Sequence, residues 1–224
     1  MEAIQFPGLG SDIPTMFTRT DEDWKQVARE ALAKLNQKHS PVLLVGYSFG
    51  AAVSLHVAAE DPTAADALML FAPFWRIGTW WQRPVWEIVR RLYPTFRPFE
   101  KIDPADPRLS EVFKNFLGVK NYQDPAFVAY LRSIEVPSKF VDHFFRFGME
   151  AGLAAKHVRN PTFVFQGTED ELVQPKRTHE LLHSLAGPTS YYEFPVDHDI
   201  VKGGHDSWSA IDQTVTQILQ CLTR

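Results

Sequence analysis

The residues best suited to chemistry form the segment Gly46-Tyr47-Ser48-Phe49-Gly50. An apolar run precedes this segment and small helix-forming residues follow it, which predicts a sharp turn between a strand and a helix. Such a turn lifts the serine hydroxyl clear of the backbone. It also directs the Phe49 amide and the positive end of the helix toward the position of an acyl oxyanion. The pattern therefore predicts nucleophilic attack by Ser48 on an acyl carbon.

A serine hydroxyl is a weak nucleophile at neutral pH, so it needs a histidine base and a carboxylate that orients the histidine. In a parallel sheet these partners lie on loops at the carboxyl ends of later strands. An acidic segment directly follows a predicted strand that ends at Gln166. Within it, Asp170 is the predicted orienting acid, and its neighbours Glu169 and Glu171 could be solvated loop charges.

Two histidines compete for the role of the base. His198 lies just beyond Phe194, where the last predicted strand ends, and His205 lies near the start of the final helix. The base must reach the Ser48 hydroxyl at hydrogen-bond distance, which favours His198. His205 stays an alternative, because the flexible pair Gly203-Gly204 before it can carry a loop back over a site.

Strand and helix patterns alternate around these residues. Residues 3–6 predict a short strand, a capping pattern at residues 20–23 begins a helix, and the apolar run 67–71 predicts a strand covered on both faces. Further strands are predicted near residues 161–167 and 190–194. The chain is therefore predicted to be an α/β protein with a mostly parallel sheet of about five or more strands flanked by helices.

The alternation stops between residues 74 and 160, where tryptophan, phenylalanine and proline are frequent. This stretch predicts a helical, aromatic-rich cap inserted into a core formed by residues 1–73 and 161–224. Aromatic side chains bury large areas and shape concave pockets, so the cap favours an apolar acyl group in the substrate. Ordinary packing between cap helices accounts for many of the same aromatic residues.

The elbow, the acidic segment and the histidine after the last strand follow one another in an order that resembles the α/β-hydrolase fold family. The resemblance extends from Ile4 to Leu222. It implies that Ser48 is the nucleophile, Asp170 the orienting acid and His198 the general base. It also implies hydrolysis of an ester, thioester, amide or related acyl compound, without a cofactor and without a metal.

The sequence departs from this family before the elbow. Members usually have three or more strands and a His-Gly type oxyanion loop there, yet only 41 residues precede Val42. We therefore expect an N-terminally minimal form of the fold. The missing neighbours would leave an unpaired strand edge, which predicts a homodimer through that edge or poor solubility.

Two arrangements of the N-terminal residues are open. In the first, residues 6–10 correspond to the loop before the pre-elbow helix, and the upstream strands and the oxyanion loop are absent. In the second, residues 4–6 pair with residues 42–45, and the Gly8 or Leu9 amide serves as a second oxyanion donor beside Phe49. Loss of one donor costs about 2.7–4 kcal/mol of transition-state stabilisation, so the first arrangement predicts weak activity.

Composition excludes several other functions. The net charge is −4 and the sequence pI is about 6.1, so the chain as a whole has no excess of positive charge that would attract nucleic acid or an anionic membrane surface. The single cysteine, Cys221, excludes an internal disulfide and leaves no cysteine cluster for a metal. No apolar run approaches the length of a membrane span, and residues 1–10 lack a secretion signal, so a cytoplasmic location is expected by default.

The leading hypothesis is a carboxylic ester hydrolase of the esterase or lipase type, which acts on a small apolar ester through an acyl-enzyme on Ser48. A thioesterase or a cofactor-free haloperoxidase would use the same three residues. A hypothesis of another class is a catalytically weak or inactive α/β-hydrolase-fold protein that binds a small apolar ligand or a partner. The complete set of Ser48, Asp170 and His198 argues against that alternative, and the missing upstream segment argues for it.

Overall fold

The computed structural model describes residues 2–76, 87–88, 90–103 and 124–222. In chain order the strands are β1 (Leu43–Tyr47), β2 (Ala67–Phe71), β3 (Thr95–Phe96), β4 (Val136–Pro137), β5 (Thr162–Gly167) and β6 (Thr189–Phe194). The main helices are α1 (Asp21–Asn36), α2 (Phe49–Glu60), α3 (Pro125–Ser133), α4 (Ser138–Ala154), α5 (Pro175–Leu182) and α6 (Trp208–Leu222). Short 3₁₀ helices span Gly10–Thr18 and Ala155–His157.

The chain forms two compact units. Unit 1 contains Met1–Trp24 and Gly78–Phe144, and unit 2 contains Lys25–Ile77 and Phe145–Arg224. The two units divide the chain after residues 24, 77 and 144, whereas the core and cap of the sequence analysis are divided at residues 74 and 160. That residues 74–160 act as a cap stays a prediction.

The sheet of unit 2 confirms the predicted α/β fold. Its strand order is β1-β2-β5-β6, and every neighbouring pair is parallel. Over the described residues this sheet has four strands, where the sequence predicts about five or more. In unit 1, β3 and β4 form a separate antiparallel pair of two residues each.

The burial of each strand follows from its place in the sheet. All five residues of the central strand β2 are buried, as the continuous apolar run predicts. On one face Met69 and Phe71 pack with Phe165 of β5 and with Ile211 and Ile218 of α6. This core fixes the carboxyl ends of the strands, where the candidate site lies.

Strand β1 lies at the edge of the sheet and, among the described residues, pairs only with β2. The side chain of Val45 is 54% exposed. The predicted strand at residues 3–6 is wrong, because these residues lead into a turn in which the Leu9 amide donates to the Phe6 carbonyl at 3.1 Å. The second N-terminal arrangement, in which residues 4–6 pair with β1, is therefore excluded.

Helix α1 begins as the capping pattern predicts. Asp23 Oδ2 accepts from the Thr20 amide at 2.8 Å, and the Asp23 amide donates back to Thr20 Oγ1 at 3.3 Å.

In the described part of the chain no helix is both long enough and apolar enough to cross a membrane.

Two glycines of α4 explain why the residues after β2 belong to unit 2. A Cβ on Gly148 would lie 2.6 Å from Phe74 Cε1, and one on Gly152 would lie 2.3 Å from Trp75 Cε3. The aromatic rings therefore fill notches that only glycine leaves open. Trp75 is fixed further by its Nε1–H, which donates to the Arg177 carbonyl at 2.9 Å.

Candidate active site

Ser48 lies between the end of β1 and the start of α2 with φ 49° and ψ −114°. A positive φ in a residue other than glycine costs on the order of 1–3 kcal/mol, and surrounding hydrogen bonds must hold it. The Ser48 amide donates to the Phe71 carbonyl at 2.9 Å, and the Ser48 carbonyl accepts from the Phe74 amide at 3.2 Å. The strained turn is thus tied to the end of β2 and the residues after it.

Gly46 lets α2 pack directly against the elbow strand. A Cβ at this position would lie 2.6 Å from both Ala51 Cα and Ser54 Oγ. Real Cβ atoms do not approach backbone atoms so closely, so a larger residue would push the helix away from β1. The first glycine of the motif therefore sets the distance between the strand and the helix that together present Ser48.

The His198 imidazole bridges Ser48 and Asp170. Its Nε2 lies 3.0 Å from Ser48 Oγ, and its Nδ1 lies 2.8 Å from Asp170 Oδ2. In the tautomer that satisfies both contacts, Nδ1–H donates to the carboxylate and Nε2 accepts from the serine hydroxyl. The carboxylate side chain is fully buried and the imidazole is 11% exposed, so the base is oriented away from bulk water. The structure thus brings three of the predicted residues into one hydrogen-bonded chain.

The loop after β5 supplies Asp170 with further donors. Its Oδ1 accepts from the Leu172 amide at 2.9 Å and from the Val173 amide at 2.7 Å. These two bonds fix the plane of the carboxylate toward His198. Its neighbours Glu169 and Glu171 are both exposed, as the sequence analysis expects of solvated charges.

Gln166 supports this arrangement and was missed in the sequence analysis. Its side chain is fully buried at the end of β5, and its Nε2 donates to Asp170 Oδ2 at 3.2 Å and to the Val173 carbonyl at 2.9 Å. Its Oε1 accepts from Thr178 Oγ1 at 2.6 Å, which fixes the orientation of the amide. A polar side chain within an otherwise apolar strand was the available signal, because buried amides need such partners.

The loop that carries His198 packs tightly on the end of β5. The Glu169 amide donates to the Val196 carbonyl at 3.1 Å. A Cβ on Gly167 would lie 2.2 Å from that carbonyl oxygen and 2.4 Å from the Asp197 carbonyl oxygen. Only glycine permits this approach, so the base and the acid are held by directly contacting backbone segments.

Tyr47, the residue before the nucleophile, also contacts the histidine loop. Its hydroxyl donates to the His198 carbonyl at 3.1 Å, with Asp199 Oδ1 at 3.4 Å as a second acceptor. Its ring packs against the imidazole with a centroid distance of 5.3 Å. Burial, together with the negative charge of Asp199, raises the pKa of the Tyr47 hydroxyl, which therefore stays protonated and able to donate.

The predicted oxyanion donors lie in different units. Phe49 is the first residue of α2, and its ring packs against Phe147. Gly8 and Leu9 lie in unit 1, where the Gly8 amide donates to Asp12 Oδ2 at 2.8 Å and the Leu9 amide donates to the Phe6 carbonyl at 3.1 Å. Both of these amides already have acceptors within their own unit.

His205, the alternative base, has a different environment. Its ring packs edge-on against Trp208 at a centroid distance of 6.0 Å, and both ring nitrogens are buried without a hydrogen-bond partner among the described residues. The structure brings His198 to Ser48, and not His205. Within the described ranges, no group of three or more histidine, cysteine, aspartate or glutamate side chains is placed to hold a metal ion.

Comparison with family models decides the membership of the chain. Residues 13–194 match the model of the family described as serine aminopeptidase, S33. The chain belongs to this S33 family. It is accordingly a hydrolase of the α/β-hydrolase superfamily, as the sequence analysis predicts. A comparison with curated proteins finds no match.

Solved structures similar to this S33 family member include lipolytic enzymes. A monoacylglycerol lipase from Paleococcus ferrophilus is 16% identical with a TM-score of 0.63, and the match covers 91% of this chain and 76% of the lipase. One of the metagenome-derived lipolytic enzymes LipS and LipT is 15% identical with a TM-score of 0.67, over 96% of this chain and 80% of that one. Mouse alpha/beta hydrolase domain-containing protein 10 is 15% identical with a TM-score of 0.57, and the match covers 91% of this chain and 71% of the mouse protein. At these identities the likeness establishes the fold.

Proposed function

We propose that the protein is a serine hydrolase that cleaves a carboxylic ester with an apolar acyl part through an acyl-enzyme on Ser48. One observation carries the proposal, namely the His198 imidazole within hydrogen-bond distance of both Ser48 Oγ and Asp170 Oδ2. This is the arrangement that a weak hydroxyl nucleophile requires. A buried structural histidine does not need a serine on a strained turn as its second partner.

In the acylation step, Ser48 Oγ attacks the ester carbonyl carbon while its proton passes to His198 Nε2. The resulting imidazolium is stabilised by the buried Asp170 carboxylate, which keeps its negative charge. The carbonyl oxygen becomes an oxyanion, and the Phe49 amide at the start of α2 is the proposed donor to it. The mechanism uses this one amide of the predicted set, since the Gly8 and Leu9 amides donate to Asp12 and Phe6. When the tetrahedral intermediate collapses, the leaving alcohol takes the proton from His198.

In the deacylation step, His198 Nε2 removes a proton from a water molecule that attacks the acyl carbon. The second tetrahedral intermediate releases the carboxylic acid, and the proton returns through His198 to Ser48 Oγ. Every proton in both steps passes through one nitrogen, and the other nitrogen stays bonded to Asp170. These residues therefore need no cofactor for either step.

Two observations support an apolar acyl group. The segment between residues 74 and 160 is rich in tryptophan and phenylalanine. The similar structures include a monoacylglycerol lipase and a metagenome-derived lipolytic enzyme, which act on lipids by their names. A small ester with an apolar acyl chain fits both observations better than a charged acyl compound does.

The test is a fluorophosphonate probe with intact-mass readout, followed by turnover of p-nitrophenyl acetate, butyrate and octanoate. We expect one phosphonate adduct on the wild type and none on Ser48→Ala. The matched control is Ser54→Ala, which removes a buried serine hydroxyl on α2 that donates to the Gly50 carbonyl at 2.9 Å. This variant should be labelled like the wild type. Faster turnover of butyrate or octanoate than of acetate would support the apolar acyl group.

A second candidate is a ligand-binding protein with weak or no catalysis. It is favoured by one observation, that the amides of Gly8 and Leu9 already have acceptors, which leaves a single proposed oxyanion donor. A well-folded wild type that takes up no phosphonate, and that binds a fatty ester without turning it over, would replace the hydrolase proposal with this one.

A further inference from the structure

We propose that Tyr47 is a positioning residue that holds the backbone of His198 in register with Ser48. The proposal rests on the proposed function and concerns the same site. It assigns a role to the residue inside the Gly-x-Ser-x-Gly motif that the motif itself leaves open. The Tyr47 hydroxyl reaches the carbonyl of the base, while the Tyr47 backbone is bonded covalently to the nucleophile.

The segment that carries His198 needs such ties because it is long and irregular. β6 ends at Phe194 and α6 begins at Trp208, so the base lies on a connection without a regular element. Two contacts hold this connection to the end of β5, namely the Glu169 amide on the Val196 carbonyl and the close approach at Gly167. A third is the bond from His198 Nδ1 to Asp170. All three place His198 relative to the acid.

Tyr47 supplies what these three contacts do not, a tie to the nucleophile. Beside the Ser48–His198 contact itself, the Tyr47 hydroxyl joins β1 to the histidine loop through hydrogen bonds to the His198 carbonyl and to Asp199 Oδ1. Its ring also contacts the imidazole face, with the ring planes tilted by 36°. The hydroxyl fixes the backbone of the base, and the ring limits how far the imidazole can turn.

The hydroxyl is suited to a permanent tie. Burial raises the pKa of this hydroxyl, and the negative charges of Asp199, Asp170 and Asp197 raise it further, so the hydroxyl remains a donor throughout the range in which a histidine titrates. Asp199 in turn is fixed, because its amide donates to Asp197 Oδ1 at 2.9 Å. Loss of the hydroxyl would therefore remove this hydrogen-bonded tie of the His198 backbone on the Ser48 side and leave the bonds on the Asp170 side intact.

The expected effect is on rate and not on substrate binding. A displacement of a reacting group by a fraction of an ångström slows proton transfer, and a misplacement of about 1 Å costs roughly a hundredfold. We expect Tyr47→Phe, which keeps the ring, to lower kcat and the rate of phosphonate labelling about tenfold, with KM unchanged. Tyr47→Leu, which removes the ring as well, should lower both rates about a hundredfold.

The experiment measures labelling rates, turnover of p-nitrophenyl butyrate and the nitrogen-15 histidine NMR spectrum of the whole chain. The matched control is Tyr191→Phe, which removes a hydroxyl that donates to Glu193 Oε1 at 2.6 Å on β6. Each variant is assayed below its own unfolding midpoint, as followed by circular dichroism. The Tyr191→Phe variant should match the wild type, and the Nε2 signal of His198, on the Ser48 side, should change in both Tyr47 variants and not in Tyr191→Phe.

The outcomes separate this proposal from the proposed function. If the wild type is labelled at Ser48, and Tyr47→Phe is labelled at the same rate with an unchanged His198 signal, the positioning role is overturned and the hydrolase function stands. If the wild type is not labelled but the His198 signal responds to Tyr47→Phe, the hydrolase function fails and the positioning role stands. A raised KM with an unchanged kcat would also overturn the positioning role.

Discussion

The Gln166 side-chain amide donates to Asp170 Oδ2, the same carboxylate oxygen that accepts from His198 Nδ1. The amide is itself fixed by Thr178 Oγ1, which donates to its Oε1. Thr178 on α5 and Gln166 at the buried end of β5 thus determine the orientation of the Asp170 carboxylate. The hydrogen-bonded chain from Ser48 therefore continues past Asp170 into the core of unit 2.

We expect Gln166→Leu to slow phosphonate labelling of Ser48 about tenfold, because Asp170 loses a donor and the Val173 carbonyl loses its partner. It should also lower the free energy of unfolding by about 1–3 kcal/mol, since buried polar groups are left unsatisfied. Thr178→Val, which removes only the outer donor, should have a smaller effect on the rate. Labelling kinetics and urea unfolding measure both quantities, and full-rate labelling of folded Gln166→Leu would contradict the support assigned to this amide.

Gly46→Ala should destabilise the fold. The added methyl group would lie 2.6 Å from Ala51 Cα, so α2 must move away from β1 at a cost of about 1–3 kcal/mol or more. Gly203→Ala is the matched control, since its nearest neighbour would be Trp208 Cε2 at an ordinary 3.7 Å. Urea unfolding of the two variants gives the comparison, and equal stabilities would show that the elbow tolerates a wider spacing.

His205→Phe should stabilise the protein by about 1 kcal/mol and leave labelling of Ser48 intact. The substitution keeps the edge-on contact with Trp208 and removes two buried nitrogens that lack partners. His198→Ala should abolish labelling, because it removes the imidazole that contacts Ser48 Oγ. The opposite pair of results, with labelling lost in the first variant and kept in the second, would make His205 the base.

Acid should destabilise the protein partly through His56. Burial lowers the pKa of this imidazole below its ordinary value of 6.5, although its Nε2 contacts the Phe147 carbonyl at 3.0 Å. The unfolded chain therefore binds a proton near pH 6.5 that the folded chain excludes, and stability falls as the pH drops below that value toward the lower folded-state pKa. His56→Gln should lose less stability than the wild type between about pH 7.5 and about pH 5.

The control for this comparison is His183→Gln, a substitution of an exposed histidine at the end of α5. Urea unfolding midpoints at both pH values give the change for each protein. A pH dependence of His56→Gln identical to that of the wild type would remove His56 from the account of acid sensitivity.

We propose that the edge of β1 that pairs with no other strand among the described residues pairs with the same edge of a second copy. Two antiparallel β1 strands are self-complementary about a twofold axis, and Val45, at 54% exposure, would be covered. Light scattering after gel filtration should give the mass of a dimer for the wild type and of a monomer for Val45→Lys. Leu153→Lys, a change at another exposed apolar residue, should stay dimeric. A wild type that is monomeric at all concentrations would exclude this pairing.

The sequence contained enough information to predict the elbow and the α/β sheet. Gly46, the apolar run before it and the small residues after it are local signals, and the fully buried β2 has the continuous apolar pattern that such a strand needs. The position of Asp170 directly after a strand was predictable for the same reason. The structure places each of these residues as the local pattern predicts.

Other features depend on contacts that no local pattern records. Residues 3–6 have a strand-like composition, but a strand needs a neighbour, and the chain turns at Gly8 with φ 82° instead. Tyr47 acts on His198, which lies 151 residues further along the chain, a pairing that the sequence does not reveal. The notches at Gly148 and Gly152 likewise depend on which rings approach the helix, and this explains why the boundary of unit 2 differs from residue 74.

Those two notches have a consequence for how the protein can change. The chain leaves unit 2 after Ile77 and returns at Phe145, and the rings of Phe74 and Trp75, just before the exit, interlock with α4 just after the return. The two ends of this excursion are therefore packed directly against each other. We therefore expect that a change in the length of the excursion, in evolution or in engineering, leaves the turn that presents the nucleophile in place.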